Sequence, residues 1–280
     1  MESDQETKTQ EGTENSEQKN QERRNESLLK LMLASGVHYG RAKRFTHPSV
    51  KEKLLPNHKS NIEIFDLGQT LSALDRIADL INKIIDQGKS ILFVATQPAA
   101  QETVKKIATE LSMPYLNTKW VAGFLTNFET IKSRLTYFKE LSAKAASGEI
   151  NNYPIKEAKK MERELEKMKQ IYGGVATIEK LPDFVFIINV NYPSHRTVVR
   201  EAIKTKIPII AIVGSDNNIE VCFDAISAND KAPRSINFIV AYLLRKLKPR
   251  SNQSELKIET ETESEPNQKS QITDSDSTAV

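Results

Sequence analysis

Three short runs in this chain are apolar at nearly every position and rich in β-branched residues: Ser90 to Ala95, Phe184 to Val190 and Ile207 to Val213. A strand with one wet face alternates polar and apolar residues, whereas a strand covered on both faces does not. Continuous runs of this length therefore read as strands of a parallel sheet with helices on either side. None approaches the roughly 20 residues of a bilayer-spanning helix, so no membrane segment is expected. Around them, apolar residues recur at helical spacing. Leu71, Leu74, Ile77, Leu80, Ile81 and Ile84 mark a helix over Thr70 to Gln87 that Gly88 stops. Further helices are expected over Glu26 to Ser35, Gln97 to Leu111, Ser194 to Thr205 and Pro233 to Leu247, and short strands at Ile62 to Phe65 and Pro114 to Leu116. The alternation predicts an α/β fold, Rossmann-like and doubly wound about a mainly parallel sheet.

One stretch interrupts that alternation. Residues 129–172 keep helical spacing throughout, with Lys, Arg and Glu filling the other positions. Ala158, Met161, Leu165, Met168 and Tyr172 step by three and four residues, the seam of a coiled coil. Ile131, Leu135, Phe138 and Ala145 follow the same rule with Ser142 on the seam, and Gly148 with Pro154 marks a turn. The expectation is an α-helical coiled-coil hairpin that protrudes roughly 25 Å from the domain; the alternative is a hairpin packed along it.

The chain ends have a different chemistry. Residues 1–26 carry eight acids and four bases, residues 251–280 seven acids and two bases, and neither has a periodic apolar face to offset the entropy of ordering. The expected organisation is a disordered acidic tail at 1–26, an α/β domain at 27–249 with the hairpin inserted at 129–172, and a second disordered acidic tail at 250–280. Taking the tails' −4 and −5 off the chain's +3 leaves +12 on residues 27–250. An excess of that size favours a polyanionic partner, nucleic acid first; a merely solvated basic surface is the bland alternative. The acidic start has neither an apolar signal core nor the Arg-rich, acid-poor character of a transit peptide, so function in the compartment of synthesis is expected. The one cysteine, Cys222, excludes an internal disulfide framework and reads as a small core residue in a reducing compartment.

A doubly wound sheet raises the question of a nucleotide enzyme, whose phosphates need glycines at a strand-to-helix turn. After Ala95 the chain reads Thr96, Gln97, Pro98, and after Val190 it reads Asn191, Tyr192, Pro193; the lone Gly214 after Val213 is a turn signal. No Walker sequence occurs. His38, His47 and His58 lack cysteine companions and metal-site spacing, so no metal and no cofactor is expected, and they read as RNA-surface groups or as solvated residues. Asp66, Asp183 and Asp230 fall at element ends, where caps and turns need them, and no triad stands out. Arg41, Lys43 and Arg44 lie in a basic loop. Lys119, Trp120, Thr126 and Asn127 precede the hairpin, with Lys132 and Arg134 on its first arm. Trp120 either anchors the hairpin root or stacks on a base; Lys119, Thr126 and Asn127 suit phosphate or ribose.

Three segments go beyond composition: Gly36-Val37-His38-Tyr39-Gly40 after a leucine-rich helix, Thr118 to Phe128 with its Leu-Thr-Asn-Phe ending, and Gly173-Gly174-Val175 through Leu181-Pro182-Asp183. With Ile64 to Thr70, Ala228-Asn229-Asp230 and Arg234-Ser235-Ile236, they closely resemble the bacterial-type small-subunit ribosomal protein S2 family, in one order across about residues 27–247. The resemblance implies a Rossmann-like sheet with a protruding coiled-coil hairpin and no catalysis. It also implies a structural place in the small ribosomal subunit near the head-body junction, on ribosomes of the cytoplasm or of an organelle with its own genome. Its implied partners are small-subunit ribosomal RNA, neighbouring small-subunit proteins and the large messenger-RNA-capturing ribosomal protein, with no small-molecule substrate.

Departures are local. Arg41 and Ala42 replace a His and a Gln, Thr46-His47-Pro48 replaces Trp-Asn-Pro, Ala122 replaces a glycine, Asn189 and Gly214 replace acids, and the loop from Val190 to Pro193 is about two residues longer, as loops tolerate. The residues expected on RNA are His38, Arg41, Lys43, Arg44, Lys119, Trp120, Thr126, Asn127, Lys132 and Arg134. Two alternatives differ in class: an α/β enzyme using a nucleotide or sugar phosphate, which calorimetry with nucleotides detects, and a coiled-coil adaptor, whose protein partners survive nuclease.

Overall fold

The computed structural model describes residues 25–56 and 59–247. The expected acidic tails lie outside this range apart from residues 25 and 26, and so does His58.

Five parallel strands form the main sheet: β3 (Ile91–Val94), β4 (Tyr115–Leu116), β5 (Phe184–Ile188), β6 (Ile209–Val213) and β7 (Asp224–Ser227), in the order β4-β3-β5-β6-β7. They are so apolar because both faces are covered. Ile91 and Phe93 of β3 join Phe186, Ile210, Ile212 and Ile226 beneath one layer of helices. Leu92 and Val94 join Val185, Ile187, Ala211 and Val213 beneath the other, as the period-two pleat requires. The first layer comprises α1 (residues 25–34), α2 (Leu67–Asp86), α3 (Gln101–Glu110) and α7 (Pro233–Lys246). The second comprises α6 (His195–Thr205) and the root of the inserted pair, α4 (Phe128–Ala146) and α5 (Ile155–Tyr172). Complete burial of Phe93, Phe186, Ile91 and Leu92 stabilises the sheet by about 1.5–3 kcal/mol each.

Local chemistry sets the boundaries. Asp66 caps α2 by accepting from the N–H groups of Gly68 and Gln69, so that helix begins before Thr70. α3 begins at Gln101 and not at Gln97: the residue ahead of Pro98 is pushed out of helical geometry, and a turn in which the Ala100 N–H donates to the Gln97 carbonyl at 3.0 Å precedes the helix. Two strands have no counterpart in the apolar pattern. β1 (Tyr39–Ala42) pairs antiparallel with β2 (Ile62–Ile64) in a small separate sheet, and β7 begins with Asp224, which holds Arg76 of α2 in two hydrogen bonds of 2.8 and 2.6 Å.

In the inserted pair, Ile131, Leu135, Phe138 and Leu141 of α4 are buried. Leu141, and not Ser142, continues the inner face; the Ser142 hydroxyl turns back to donate to the Phe138 carbonyl at 2.7 Å, which lets α4 keep a polar residue beside the seam. Of the α5 seam only Tyr172 is buried, with Met161, Leu165 and Met168 half-buried. Ile131, Leu135, Phe138 and Tyr172 belong to the sheet's own apolar cluster, so the root of the pair is part of the domain core. A short helical turn (Glu149–Asn152) and Gly148, at φ +75°, join the two arms.

Candidate nucleic-acid interface

Counted among themselves, the sheet strands run 2-1-3-4-5, and in sheets of this order ligands sit where the winding reverses, here between the carboxyl ends of β3 and β5. That crevice is filled by the chain's own side chains. His195, fully buried, accepts from the Thr96 N–H at 2.9 Å through Nε2, and its Nδ1 lies 2.8 Å from the Asn189 carbonyl, the partner for an Nδ1–H tautomer. Burial pushes this imidazole down to about 4, so it is neutral at physiological pH. Gln97 donates to the Asp230 carbonyl at 2.7 Å, and Asn217 donates to the Asp230 carboxylate at 2.6 Å. Burial pushes that carboxyl up to about 6. Gly214, where the resemblance has an acid, packs directly against this carboxylate: a Cβ there would stand 2.8 Å from Asp230 Cγ. Asn189, the other replaced acid, closes β5 at φ +67° and donates to Gln97 Oε1 at 3.3 Å. These buried groups are satisfied by one another across the crevice.

The basic loop is fastened to the carboxyl end of β6. The Arg41 N–H donates to Ser215 Oγ at 2.8 Å, the His47 N–H donates to the Ser215 carbonyl at 2.8 Å, and Arg41 Nη1 lies 2.8 Å from Asp216 Oδ2. Lys231 shares that carboxylate at 2.9 Å. Burial alone raises the Asp216 carboxyl, but hydrogen bonds and charge from Lys231 and Arg41 outweigh it and hold the group below the usual carboxylate range. Arg41 and Arg44 both stack on the exposed Phe45 ring, with Cζ 4.6 and 4.7 Å from its centroid. Lys43, Arg44 and Phe45 thus face solvent on a loop pinned at both sides, while one guanidinium edge of Arg41 is already engaged. His38 is half-buried against Tyr39, with ring centroids 3.9 Å apart and its imidazole held down by burial.

Trp120 corrects the stacking expectation. It is 5% exposed, and its indole N–H donates to Glu201 Oε1 at 3.0 Å, so no base can reach its face. The same carboxylate accepts the Gly123 and Leu125 N–H groups at 2.8 and 3.0 Å, clamping the whole hairpin-root loop to α6. Lys119, Thr126 and Asn127 stay exposed, with Asn127 Oδ1 accepting from Thr130 at the start of α4. Lys119, after β4, and the Arg41 loop, at β6, share the carboxyl edge of the sheet. The strands whose ends they adjoin, β4 and β6, stand three strand spacings apart, about 14 Å at about 4.8 Å each. Lys132 and Arg134 do not share a face: two helical residues point about 200° apart. Lys132 turns to the sheet base beside Pro114 and Ile178, whereas Arg134 lines the groove between α4 and α5.

Phe45, Asp216 and Glu201 were missed by sequence reasoning. An aromatic directly after Arg44, in a loop that already holds Arg41, is a readable signal for the first; the other two depend on long-range contacts.

The architecture and its cationic edge define a doubly wound α/β protein with a helical-pair insertion, whose crevice at the winding reversal holds buried polar side chains hydrogen-bonded to one another. Comparison with known proteins then gives the family. Residues 32–248 match the sequence profile described as ribosomal protein S2. The chain is 37% identical over 215 residues to small ribosomal subunit protein uS2 of Dictyoglomus thermophilum, covering 76% of this chain and 86% of that protein. It is 36% identical over 213 residues to the uS2 of Coprothermobacter proteolyticus, covering 76% and 78%. Similarity extends to the protein named uS2c of Cyanophora paradoxa, at 35% over 215 residues, covering 77% and 91%. This chain belongs to the ribosomal protein S2 family, a family of structural, non-enzymatic proteins.

Proposed function

We propose that the chain is a structural constituent of the small ribosomal subunit that binds small-subunit ribosomal RNA near the head-body junction and supports translation. It does so alongside neighbouring ribosomal proteins, among them the large one that captures messenger RNA. The observation that carries this is the match to the ribosomal protein S2 profile across residues 32–248, with relatives named as small ribosomal subunit proteins. The surface agrees: Lys43, Arg44 and Lys119 are exposed along one edge of a domain of net charge +12, beside Thr126 and Asn127. The contacts intended for RNA are these five, with His38 and Arg41 shaping the loop and Lys132 and Arg134 on α4; Trp120 holds the scaffold. The site of action is the ribosome of the compartment in which the chain is made.

Cations on phosphates release counterions, so affinity for small-subunit ribosomal RNA falls steeply with salt, by about 0.7–0.9 in log K per unit log salt for each phosphate neutralised. Filter binding between about 50 and 200 mM salt tests the proposal. Salt-independent binding, or a preference for nucleotides over RNA in calorimetry, contradicts it.

A further inference from the structure

The sequence reading placed RNA contacts on α4, yet the densest cationic surface of the hairpin belongs to α5. Lys156, Lys159, Lys160, Arg163 and Lys167 line one shallow groove, with Glu164 as its single acid. At about 100° per residue, these five side chains fall within an arc of about 100° that holds no acid and is centred opposite the apolar seam of Met161, Leu165 and Met168. Glu157, Glu162, Glu164 and Glu166 flank the arc on both sides.

Two features argue that this stripe is not a merely solvated face. Lys156 and Lys160, Lys159 and Arg163, and Arg163 and Lys167 are like charges four residues apart, an arrangement that weakens an isolated helix and that an opposing polyanion relieves. None of the five enters an ion pair among the described residues, although four acids stand on the same helix. The arc also lacks aromatic and apolar residues, the anchors of protein interfaces, and offers only what tracks a phosphate chain. From Lys156 to Lys167 it runs about 16 Å along the helix. At its Lys167 end a second groove opens between α4 and α5, lined by both Lys167 and Arg134.

We propose that the outer face of α5 is a phosphate-binding track for ribosomal RNA, extended by Arg134 across the groove. This rests on the RNA-binding reading above and assigns to it a surface of the second arm. The test uses the full chain and transcribed small-subunit ribosomal RNA. One variant carries Lys156→Gln, Lys159→Gln, Lys160→Gln, Arg163→Gln and Lys167→Gln. A control removes the same charge elsewhere through Lys83→Gln, Lys89→Gln, Lys105→Gln, Lys106→Gln and Lys204→Gln. Circular dichroism is expected to show unchanged helix content in both, since glutamine is nearly as good a helix former as lysine and arginine. The stripe variant is expected to lose at least about 100-fold in affinity at moderate salt, with a salt slope shallower by up to about 3.5–4.5, while the control keeps a slope within about one unit of the parent. Equal weakening of the two variants overturns the track and leaves a diffuse charge effect, with RNA binding itself intact. Absence of any salt-dependent RNA affinity in the parent chain fails the RNA-binding reading and the track together.

Discussion

Glu201 is the residue whose loss should be felt farthest from its own position. The residue is 7% exposed, and its carboxylate accepts three N–H groups, from Trp120 at 3.0 Å, Gly123 at 2.8 Å and Leu125 at 3.0 Å. In Glu201→Gln one oxygen becomes an amide nitrogen that cannot accept. If it replaces Oε2, Leu125 is stranded; if it replaces Oε1, Trp120 and Gly123 are. A hydrogen bond to a charged group contributes about 1.5–3 kcal/mol and an orphaned buried donor costs about 1–3 kcal/mol, so the variant should lose about 2–4 kcal/mol. Trp120 is the chain's only tryptophan, so urea unfolding followed by its fluorescence reports on the clamp itself. The expected result is a lowered midpoint at unchanged slope, with faster amide exchange at Gly123 and Leu125. A loss under about 0.5 kcal/mol, the scale of an ordinary surface substitution, would refute the clamp.

Restoring the acid that the resemblance expects, Gly214→Asp, should cost at least about 3 kcal/mol in urea unfolding, because overpacking against Asp230 is joined by a second buried carboxylate. A neutral outcome contradicts the packing of that turn. His195, depressed to about 4 by burial, should remain neutral in nuclear magnetic resonance titration from pH 8 to 5. The unfolded imidazole takes a proton near 6.5 and the folded one refuses it, so its stability contribution is complete above pH 6.5 and is lost as pH falls toward 4, by up to about 3 kcal/mol. Titration near 6.5 in the folded protein would contradict this. Burial pushes the Cys222 thiol up to about 12, so alkylation by iodoacetamide at pH 8 should be far slower than for a free thiol, and equal rates would contradict it.

The fold was legible where burial speaks through composition. β3, β5 and β6 are covered on both faces, and their apolar runs allow nothing else; α2 and α6 carry one buried stripe each. β1, with Tyr39, Gly40, Arg41 and Ala42, and β7, opening on Asp224, are short and partly polar, and they form because neighbours offer backbone partners that local sequence does not encode. The site divides the same way. Exposed Lys43, Arg44 and Lys119 follow from a basic loop. The burial of Trp120 follows from Glu201, eighty-one positions away, and the engagement of Arg41 from Asp216, farther still. The α5 stripe was readable from helical spacing, but it is hidden by the acids alternating with it along the chain.

The central claim is that this chain serves as a fixed part of the small ribosomal subunit, gripping its RNA. Sucrose-gradient sedimentation of cell extract after a moderate salt wash tests it most directly. The account predicts that the protein travels with the small subunit and that nuclease digestion releases it. Protein that stays at the top of the gradient, apart from any ribosomal particle, would contradict it.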